Sequence, residues 1–228
     1  MLLSFDELPE EFQNDDVKKY YDILKNKKSS IIIKRSFDIS LSILFIIILL
    51  IPIIILALAV KLTSRGPILY KQTRVTTYNR EFTIYKFRTM VDNADKMGTL
   101  VTSHGDNRIT EIGHFLRKYR LDELPQLFNV LKGEMSFVGT RPEVPKYVKC
   151  YTPAMYATLL MPAGITSLAS IKFKNEDRML ETSTNIDEDY VDIILPKKMH
   201  YNLLYIKSFG FRNDLYLMLK TVKEVAFH

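Results

Sequence analysis

Asp122 and Glu123 form an acidic pair directly ahead of Leu124 and Pro125. One interpretation of the pair is helix capping, because an Asp at a helix start accepts backbone N–H bonds while Glu and Pro are tolerated in the first turn. The other interpretation is chemical. A carboxylate that the helix dipole and free amides keep ionised is a workable nucleophile toward phosphorus, and the same amides attract phosphate. The pair is therefore the first candidate for a catalytic site.

The residues around the acidic pair favour phosphate as its substrate. Arginine presents a planar fork that matches two phosphate oxygens. Adjacent carboxylates among arginines also suit Mg²⁺, which binds one or two carboxylates together with ligand phosphates. Taken singly, an arginine is more typical of a solvated surface, so the prediction depends on the cluster. The flanking charged residues are Asp106, Arg108, Arg117, Lys118, Arg120, Lys132 and Arg141.

An uncharged apolar run over residues 39–60 places this chemistry near a membrane. About 20 apolar residues suffice to cross the ~30 Å hydrocarbon core of a bilayer. Lys34 and Arg35 precede the run, and Lys61 and Arg65 follow it. Because basic residues near membrane segments tend to stay on the cytoplasmic side, both ends of the run are expected on that side.

Pro52 inside the run offers a point at which the chain can turn back. Proline has no backbone N–H and clashes with the preceding turn, so the helix can break there. The predicted anchor is then a re-entrant helix-break-helix. A single spanning helix is the alternative, since neighbouring helices can re-satisfy the carbonyl that a proline leaves free.

The rest of the pattern predicts an α/β fold, α-rich with a small β-hairpin, in a protein that enters the membrane from one side. Residues 1–30 form a polar extension, either a surface amphipathic helix or a loosely held arm. Residues 31–62 form the re-entrant hairpin, and residues 63–210 form the catalytic domain. Residues 211–228 form an amphipathic helix that faces either the core or the membrane interface. Strands are expected over residues 68–73, 81–87, 135–138 and 165–173, and helices over residues 109–119 and 124–131.

Composition narrows the class of protein. The formal net charge is +6, a mild excess that suggests anionic lipid or phosphorylated ligands rather than a nucleic-acid surface. Cys150 is the single cysteine, which excludes an intrachain disulfide framework and a zinc site built on paired cysteines. His104 and His114 are lone histidines, which are more often structural or solvated than catalytic.

Several ordered motifs carry a resemblance to a known family. They are Lys34-Arg35-Ser36-Phe37-Asp38, Ile84-Tyr85-Lys86-Phe87-Arg88-Thr89-Met90, Leu121-Asp122-Glu123-Leu124-Pro125-Gln126-Leu127, Met135-Ser136-Phe137, Gly139-Thr140-Arg141-Pro142 and Gly164-Ile165-Thr166. In this order they resemble the bacterial sugar transferase family of monotopic phosphoglycosyl transferases, which initiate the assembly of polyprenol-linked glycans. The resemblance covers residues 34–166 closely and the C-terminal helices loosely.

The resemblance implies a two-step reaction. Asp122 resembles the nucleophile that attacks the sugar-bearing phosphate of a UDP-sugar, which releases UMP and leaves a phosphosugar on the enzyme. Polyprenol phosphate then takes up the phosphosugar and becomes a polyprenyl-diphospho-sugar. Glu123 resembles an acidic partner near Mg²⁺ or the lipid phosphate. Mg²⁺ is thus the implied cofactor, with Asp122 and Glu123 as its implied ligands.

The resemblance also implies binding residues and partners. The residues that correspond to substrate phosphate-binding groups are Arg117, Arg141, Arg88 and Lys86. Those that correspond to the membrane anchor at the lipid headgroups are Lys34, Arg35 and Asp38, with Pro52 at the helix break. The implied partners are a UDP-sugar, polyprenol phosphate and membrane lipids, without nucleic acid, and a homodimer is among the assemblies that this allows. The implied location is the bacterial inner membrane, with the catalytic domain on its cytoplasmic face.

The chain departs from the family pattern in the expected membrane anchor and in segments expected to contact the donor. Ile51 precedes Pro52 where the family commonly has serine, and Thr140 precedes Arg141 where it usually has proline. The polar residues that usually follow Gly164-Ile165-Thr166 are replaced by Ser170, Lys172, Lys174 and Asn175. The sequence therefore does not name the sugar or the glycan pathway. The rival from another class is a membrane-tethered basic binding module in which Asp122 is only a helix cap.

Overall fold

The computed structural model describes residues 2–94, 97, 106–173 and 185–226, so His104, Lys174 and Asn175 lie outside the described residues. The strands are β1 (Leu69–Val75), β2 (Glu81–Phe87), β3 (Met135–Val138) and β4 (Ala163–Thr166). The helices are α1 (Asp15–Lys25), α2 (Lys28–Thr63), α3 (Glu111–Lys118), α4 (Gln126–Lys132), α5 (Pro145–Val148), α6 (Leu168–Lys172), α7 (Ile186–Asp189), α8 (Leu195–Lys207) and α9 (Phe211–Ala226). Tighter 3₁₀ turns lie at Phe5–Glu7, Glu10–Phe12, Thr77–Asn79, Leu121–Glu123 and Pro153–Leu160, and a π-helical segment, Tyr190–Ile194, joins α7 to α8.

The predicted β-hairpin forms from β1 and β2, which pair antiparallel along their whole length. Tyr78 and Asn79 turn the chain between them with φ angles of 57° and 60°, a left-handed conformation that asparagine tolerates better than most residues. Side chains alternate between the two faces of a strand. Lys86 therefore shares the face on which Phe82 and Ile84 are buried, and the hairpin aims a lysine toward the interior.

The second sheet pairs β3 with β4 in parallel. In its register Phe137 and Ile165 lie side by side between two paired positions. The strand over residues 135–138 is confirmed. The strand predicted over residues 165–173 is wrong beyond Thr166, because Ser167 accepts the N–H of Ser170 and starts α6 there.

The N-terminal extension is a packed part of the protein. Asn14 caps α1 by accepting the N–H of Val17. Val17 and Leu24 on α1, together with Phe12 before it, are fully buried in the main hydrophobic core. The surface amphipathic helix that the spacing predicted is confirmed, and the alternative of a loosely held arm is wrong.

The apolar run forms the helix α2, which continues from Lys28 to Thr63 with Pro52 inside it. The structure does not divide α2 at Pro52, so the return of the chain to one side of a membrane stays a prediction. α2 is long and apolar enough to cross a bilayer, and only 6% of its most apolar stretch is buried, unlike the core helix of a soluble protein. The inward face packs against the protein through Leu41, Phe45, Leu49, Ile53, Leu56 and Val60. The outward face exposes Ile47, Ile51, Ile54, Ile55, Leu58 and Leu62.

The helix α9 is amphipathic, as predicted. Leu217 on its inner face is buried in the main core. Tyr216, Leu219 and Val222 are exposed by 60–71%. One face of α9 is thus a core face, while the other presents large apolar side chains outward.

Candidate active site

Asp122 and Glu123 lie on the 3₁₀ turn between α3 and α4. Arg120 enters this turn with a φ of 56°, in a left-handed conformation. The helix α4 begins after Pro125, which occupies the N-cap position without a side-chain hydrogen bond. The capping interpretation of Asp122 is therefore wrong.

Glu123 is held by two cations. Its Oε1 atom accepts a hydrogen bond from Lys86 Nζ at 2.8 Å and one from Arg141 Nη2 at 3.3 Å. Burial opposes ionisation of this carboxyl, yet the charges of Lys86 and Arg141 outweigh burial and hold the pKa of Glu123 well below its usual range. Since Lys86 lies on β2 and Arg141 follows β3, Glu123 joins the 3₁₀ turn to both sheets.

The surroundings of Asp122 shift its pKa in the opposite direction to that of Glu123. Asp122 is 8% exposed, and among the residues that the structure describes its Oδ1 atom has no hydrogen-bond partner. Burial raises the pKa of Asp122 and the neighbouring charge of Glu123 adds to the rise, while Lys86 and Arg117 oppose it. A buried oxygen without a partner is costly in a folded protein. Its presence is explained if a substrate group or a cation binds to it.

Arg117 and Arg88 supply further positive charge. Arg117 lies on α3 and donates from Nε to Thr89 Oγ1 at 2.8 Å. Arg88 follows β2, is 4% exposed, and donates from Nη2 to the carbonyl and hydroxyl oxygens of Ser64 at 2.7 and 2.8 Å. Its Nε and Nη1 atoms have no partner within the described ranges. An arginine with two buried, unpaired donors is suited to bind an anion such as phosphate.

These groups line one cavity of about 1150 Å³. The predicted catalytic and phosphate-binding residues all contribute to it, namely Asp122, Glu123, Lys86, Arg88, Arg117 and Arg141. The fold therefore brings together residues that come from β2 or directly after it, from α3, from the 3₁₀ turn Leu121–Glu123 and from the segment after β3. Phe45 and Leu49 of α2 line the same cavity, so it extends from the acidic pair to the apolar helix.

Comparison with known proteins shows the family. The profile of the family described as bacterial sugar transferase matches residues 29–228. The chain belongs to the bacterial sugar transferase family. The N-terminal extension with α1 precedes the matched region.

Relatives of this chain include two proteins whose names state a substrate. The UDP-N-acetylgalactosamine-undecaprenyl-phosphate N-acetylgalactosaminephosphotransferase of Aeromonas hydrophila is 34% identical over 197 residues, 85% of this chain and 43% of that protein. The UDP-glucose:undecaprenyl-phosphate glucose-1-phosphate transferase of Klebsiella pneumoniae is 35% identical over 199 residues, 85% of this chain and 40% of that protein. An uncharacterized sugar transferase of Bacillus subtilis is 34% identical over 194 residues, 85% of this chain and 87% of that protein. The chain thus spans about two fifths of the first two relatives and most of the third.

The motif that the resemblance assigns to the membrane anchor lies inside the protein. Lys34 and Asp38 are 4% and 3% exposed. Lys34 Nζ pairs with Asp214 Oδ2 at 2.6 Å, and Asp38 Oδ1 accepts the N–H of Phe137 at 3.2 Å. Arg35 donates to two carbonyl oxygens at the end of α4, at 2.7 and 2.9 Å. These residues join α2 to the rest of the fold, and their place at the level of the lipid headgroups stays a prediction.

A buried ion network beside Arg141 was missed by sequence reasoning. Glu143 accepts a hydrogen bond from the Tyr190 hydroxyl at 2.8 Å and pairs with Lys198 Nζ at 3.0 Å. Arg74 donates to the carbonyl oxygen of Pro142 at 3.0 Å. Burial opposes the ionisation of Glu143, and the charges of Lys198 and Arg74 reverse that effect and lower its pKa. The network fixes the backbone directly after Arg141. The position of Glu143 between two prolines could have marked it as a candidate site residue. No feature of the sequence links Glu143 to Tyr190, Lys198 or Arg74.

Proposed function

We propose that this protein moves a sugar-1-phosphate from a UDP-sugar to polyprenol phosphate, and that the products are a polyprenyl-diphospho-sugar and UMP. The observation that carries the proposal is the buried Asp122 carboxylate, whose Oδ1 atom lacks a partner among the described residues and which lies among cations in a cavity that reaches α2. The names of the Aeromonas and Klebsiella relatives give the same class of donor and acceptor for those proteins. The product would initiate a capsule, O-antigen, exopolysaccharide or glycoprotein glycan.

The proposed reaction has two displacements at one phosphorus atom. In the first, an Asp122 carboxylate oxygen bonds to the sugar-bearing phosphorus while the bond from that phosphorus to the bridging oxygen breaks, and UMP leaves with the electron pair. In the second, a phosphate oxygen of polyprenol phosphate bonds to the same phosphorus while the bond to Asp122 breaks. Both nucleophiles are anions, so neither displacement needs a proton. The covalent intermediate separates two substrates of very different solubility.

The cationic side chains of the cavity are suited to stabilise the negative charge that develops on the phosphoryl oxygens during these steps. Two buried donors of Arg88 have no partner among the described residues, and its third nitrogen is fixed by Ser64. Lys86 and Arg141 are oriented by Glu123. Donors that are already oriented stabilise charge on phosphoryl oxygens without reorganising during the reaction. Glu123 is thus proposed to orient these cations, and Asp122 to form the bond.

Mg²⁺ is proposed as the cofactor. Within the described residues there is no cluster of three or more His, Cys, Asp or Glu side chains that could hold a metal by themselves. Mg²⁺ commonly binds one or two carboxylates and completes its shell with water and substrate phosphates, so the pair fits a site of that kind. Asp122 and Glu123 would hold the ion together with the donor diphosphate, and the ion would neutralise charge on the leaving phosphate.

Membrane attachment from the cytoplasmic side is part of the proposal. The start of α2 is joined to α4 through Arg35, and its last buried residue, Val60, packs against Phe87 and Leu116. A helix that crossed the bilayer could not keep both ends against one cytoplasmic body. The contacts at both ends therefore support attachment from one side, and the break at Pro52 that a return of the chain requires is itself part of the proposal.

The experiment that tests this function is the intact mass of the purified protein with Mg²⁺ and a panel of UDP-sugars, in the absence of lipid acceptor. We expect a mass gain of one phosphosugar with the correct donor. The matched variant is Asp122→Asn, which keeps the size of the side chain and removes its nucleophilic charge. We expect no adduct with that variant.

Addition of polyprenol phosphate should return the adduct to the mass of the free protein and release one UMP per turnover. An adduct that persists in Asp122→Asn would assign the nucleophile elsewhere. Absence of both adduct and UMP across a broad panel would favour the rival interpretation of a membrane-tethered binding module.

A further inference from the structure

The active-site cavity is larger than one polar substrate requires. Pockets for a single drug-sized ligand usually measure roughly 300–1,000 Å³, whereas this cavity measures about 1150 Å³. The proposed reaction brings a nucleotide sugar and a lipid phosphate to one phosphorus atom. One cavity must therefore offer surfaces of two different kinds.

Part of the cavity lining is apolar and comes from α2, β3 and β4. Phe45 and Leu49 lie four residues apart on the inward face of α2. The ring of Phe45 meets the ring of Phe137 edge-on, with centroids 6.0 Å apart. Phe137 and Ile165 are neighbours in the register of β3 and β4. We name these four residues, Phe45, Leu49, Phe137 and Ile165, the apolar wall.

We propose that the apolar wall binds the hydrocarbon chain of the lipid acceptor next to its phosphate; this inference rests on the proposed function. The side chains of the wall offer no hydrogen-bond donor or acceptor, so a uracil ring or a sugar would lose its hydrogen bonds with water there. A prenyl chain loses none. The charged residues of the remaining lining, such as Lys86, Arg88 and Arg117, are unsuited to hydrocarbon and suited to the donor diphosphate.

The position of α2 gives the chain a route to this wall. At the level of Leu49 the outward face of the helix exposes Ile47, Ile48 and Ile51 by 61–70%. An exposed apolar face of this kind is covered by lipid when α2 is inserted in a bilayer. A lipid chain could then pass from the bilayer along α2 to the apolar wall without crossing water, while its phosphate reaches Asp122.

The test compares two substitutions on neighbouring residues of α2. Leu49→Trp places a bulky ring in the cavity, and Leu50→Trp places the same ring on the side chain that is 50% exposed and does not line the cavity. We expect Leu49→Trp to raise the KM for undecaprenyl phosphate by at least about tenfold, the range of an overpacked apolar site. The KM for the UDP-sugar should change by less than about twofold, as expected if only acceptor binding is lost. Leu50→Trp should match the wild type in both values.

A second measurement uses the wild-type protein and so does not depend on how a variant folds. Undecaprenyl phosphate with a photoreactive diazirine on an isoprene unit near the phosphate is crosslinked in membranes, and the labelled residues are located by mass spectrometry. We expect label at Phe45, Leu49 or Ile165. Label confined to the outward residues Ile47, Ile48 and Ile51 would overturn the proposal.

The outcomes separate this inference from the function on which it rests. If the wild type releases no UMP from any UDP-sugar in the presence of acceptor, the proposed function fails. If the wild type is active and Leu49→Trp behaves as Leu50→Trp does, the apolar wall does not bind the acceptor. A rise in the KM for the UDP-sugar alone would assign the wall to the donor and would likewise overturn the inference.

Discussion

Asp122 and Glu123 are adjacent and each is 8% exposed, yet their surroundings shift their pKa values in opposite directions. The pKa of Glu123 is lowered because Lys86 and Arg141 bond to it directly. The pKa of Asp122 is raised because burial is not offset by any hydrogen bond to its Oδ1 atom among the described residues. Environments that separate the pKa values of two like groups commonly separate their roles. The difference supports Asp122 as the reacting group and Glu123 as the residue that orients the cations.

Removal of the Lys86 charge should change the pH dependence of adduct formation. In the proposed reaction Asp122 attacks in its ionised form, so the activity should be present above its pKa and should be lost as the pH falls through that pKa. Since Lys86 lowers the pKa of Asp122, Lys86→Met should move the acid limb to higher pH. The rate on the plateau should fall by about 10²–10³, the usual cost of losing one oriented charge-stabilising donor. The measurement is the rate of phosphosugar adduct formation by quenched-flow mass spectrometry across the pH range.

Two further variants decide how that result is understood. Lys86→Arg keeps the charge, so its acid limb should stay near that of the wild type. Lys132→Met removes an exposed lysine whose Nζ atom bonds to the Tyr85 hydroxyl, and it should leave the profile unchanged. An acid limb in Lys86→Met that coincides with the wild type would mean that Asp122 does not limit the reaction in acid.

The sequence predicted the candidate site residues that lie close together in the chain. Asp122 and Glu123 stand out as a pair, and the arginines around them are close in the chain. The partners that decide their behaviour are distant, because Lys86 is 37 residues from Glu123 in the chain. Lys198 is farther still from Glu143, and only the folded α8 brings the two together. Charges buried in pairs leave no periodic signal in the sequence.

At the scale of elements, local chemistry explains both the correct and the incorrect predictions. The helix α4 ends at Gly133, whose φ of 85° is the left-handed conformation that glycine adopts without strain. The helix predicted over residues 124–131 therefore ends within one residue of the observed end, Lys132. The region after Thr166 alternates weakly between apolar and polar residues, as a strand does, yet the Ser167 cap turns it into α6. A single side-chain hydrogen bond there outweighed a weak alternation.

The N-terminal extension should contribute to stability, although it lies outside the region matched by the family profile. Phe12 is fully buried and meets the rings of Tyr78 and Tyr156 edge-on. Phe12→Ala should lower the free energy of unfolding by about 3–5 kcal/mol, the usual cost of truncating a buried phenylalanine. Tyrosine fluorescence during denaturation in detergent measures this, because the chain has no tryptophan.

The matched variant for that prediction is Leu3→Ala, which shortens an apolar side chain that is 39% exposed in the same extension. It should change the free energy of unfolding by no more than about 0.5 kcal/mol. Equal denaturation midpoints for Phe12→Ala and the wild type would show that the extension does not stabilise the folded protein.

In the molecule as a whole, α2 has one face that packs against the protein and one face that is exposed, and its composition alone does not show this division. The apolar run was evident in the sequence and pointed to a membrane. Its division into an inward face, which packs on both sheets and on α3, and an outward face, which stays exposed, depends on partners far along the chain. The inward face includes Leu49 and reaches the active site. The membrane helix is therefore proposed to be part of the site as well as its anchor.

Both ends of α2 should lie on the cytoplasmic side of the membrane. Asn26 and Arg65 flank the helix and are exposed, and the exposed Cys150 in the catalytic domain serves as the internal reference. Asn26→Cys and Arg65→Cys, each combined with Cys150→Ser, are treated with a membrane-impermeant maleimide in intact cells without an outer membrane and in inverted vesicles. Cys150 in the wild type and both introduced cysteines should react in inverted vesicles and stay unlabelled in intact cells. Labelling of Asn26→Cys and Arg65→Cys from opposite sides would mean that α2 spans the bilayer, and the contacts at its two ends could not then both exist in the membrane.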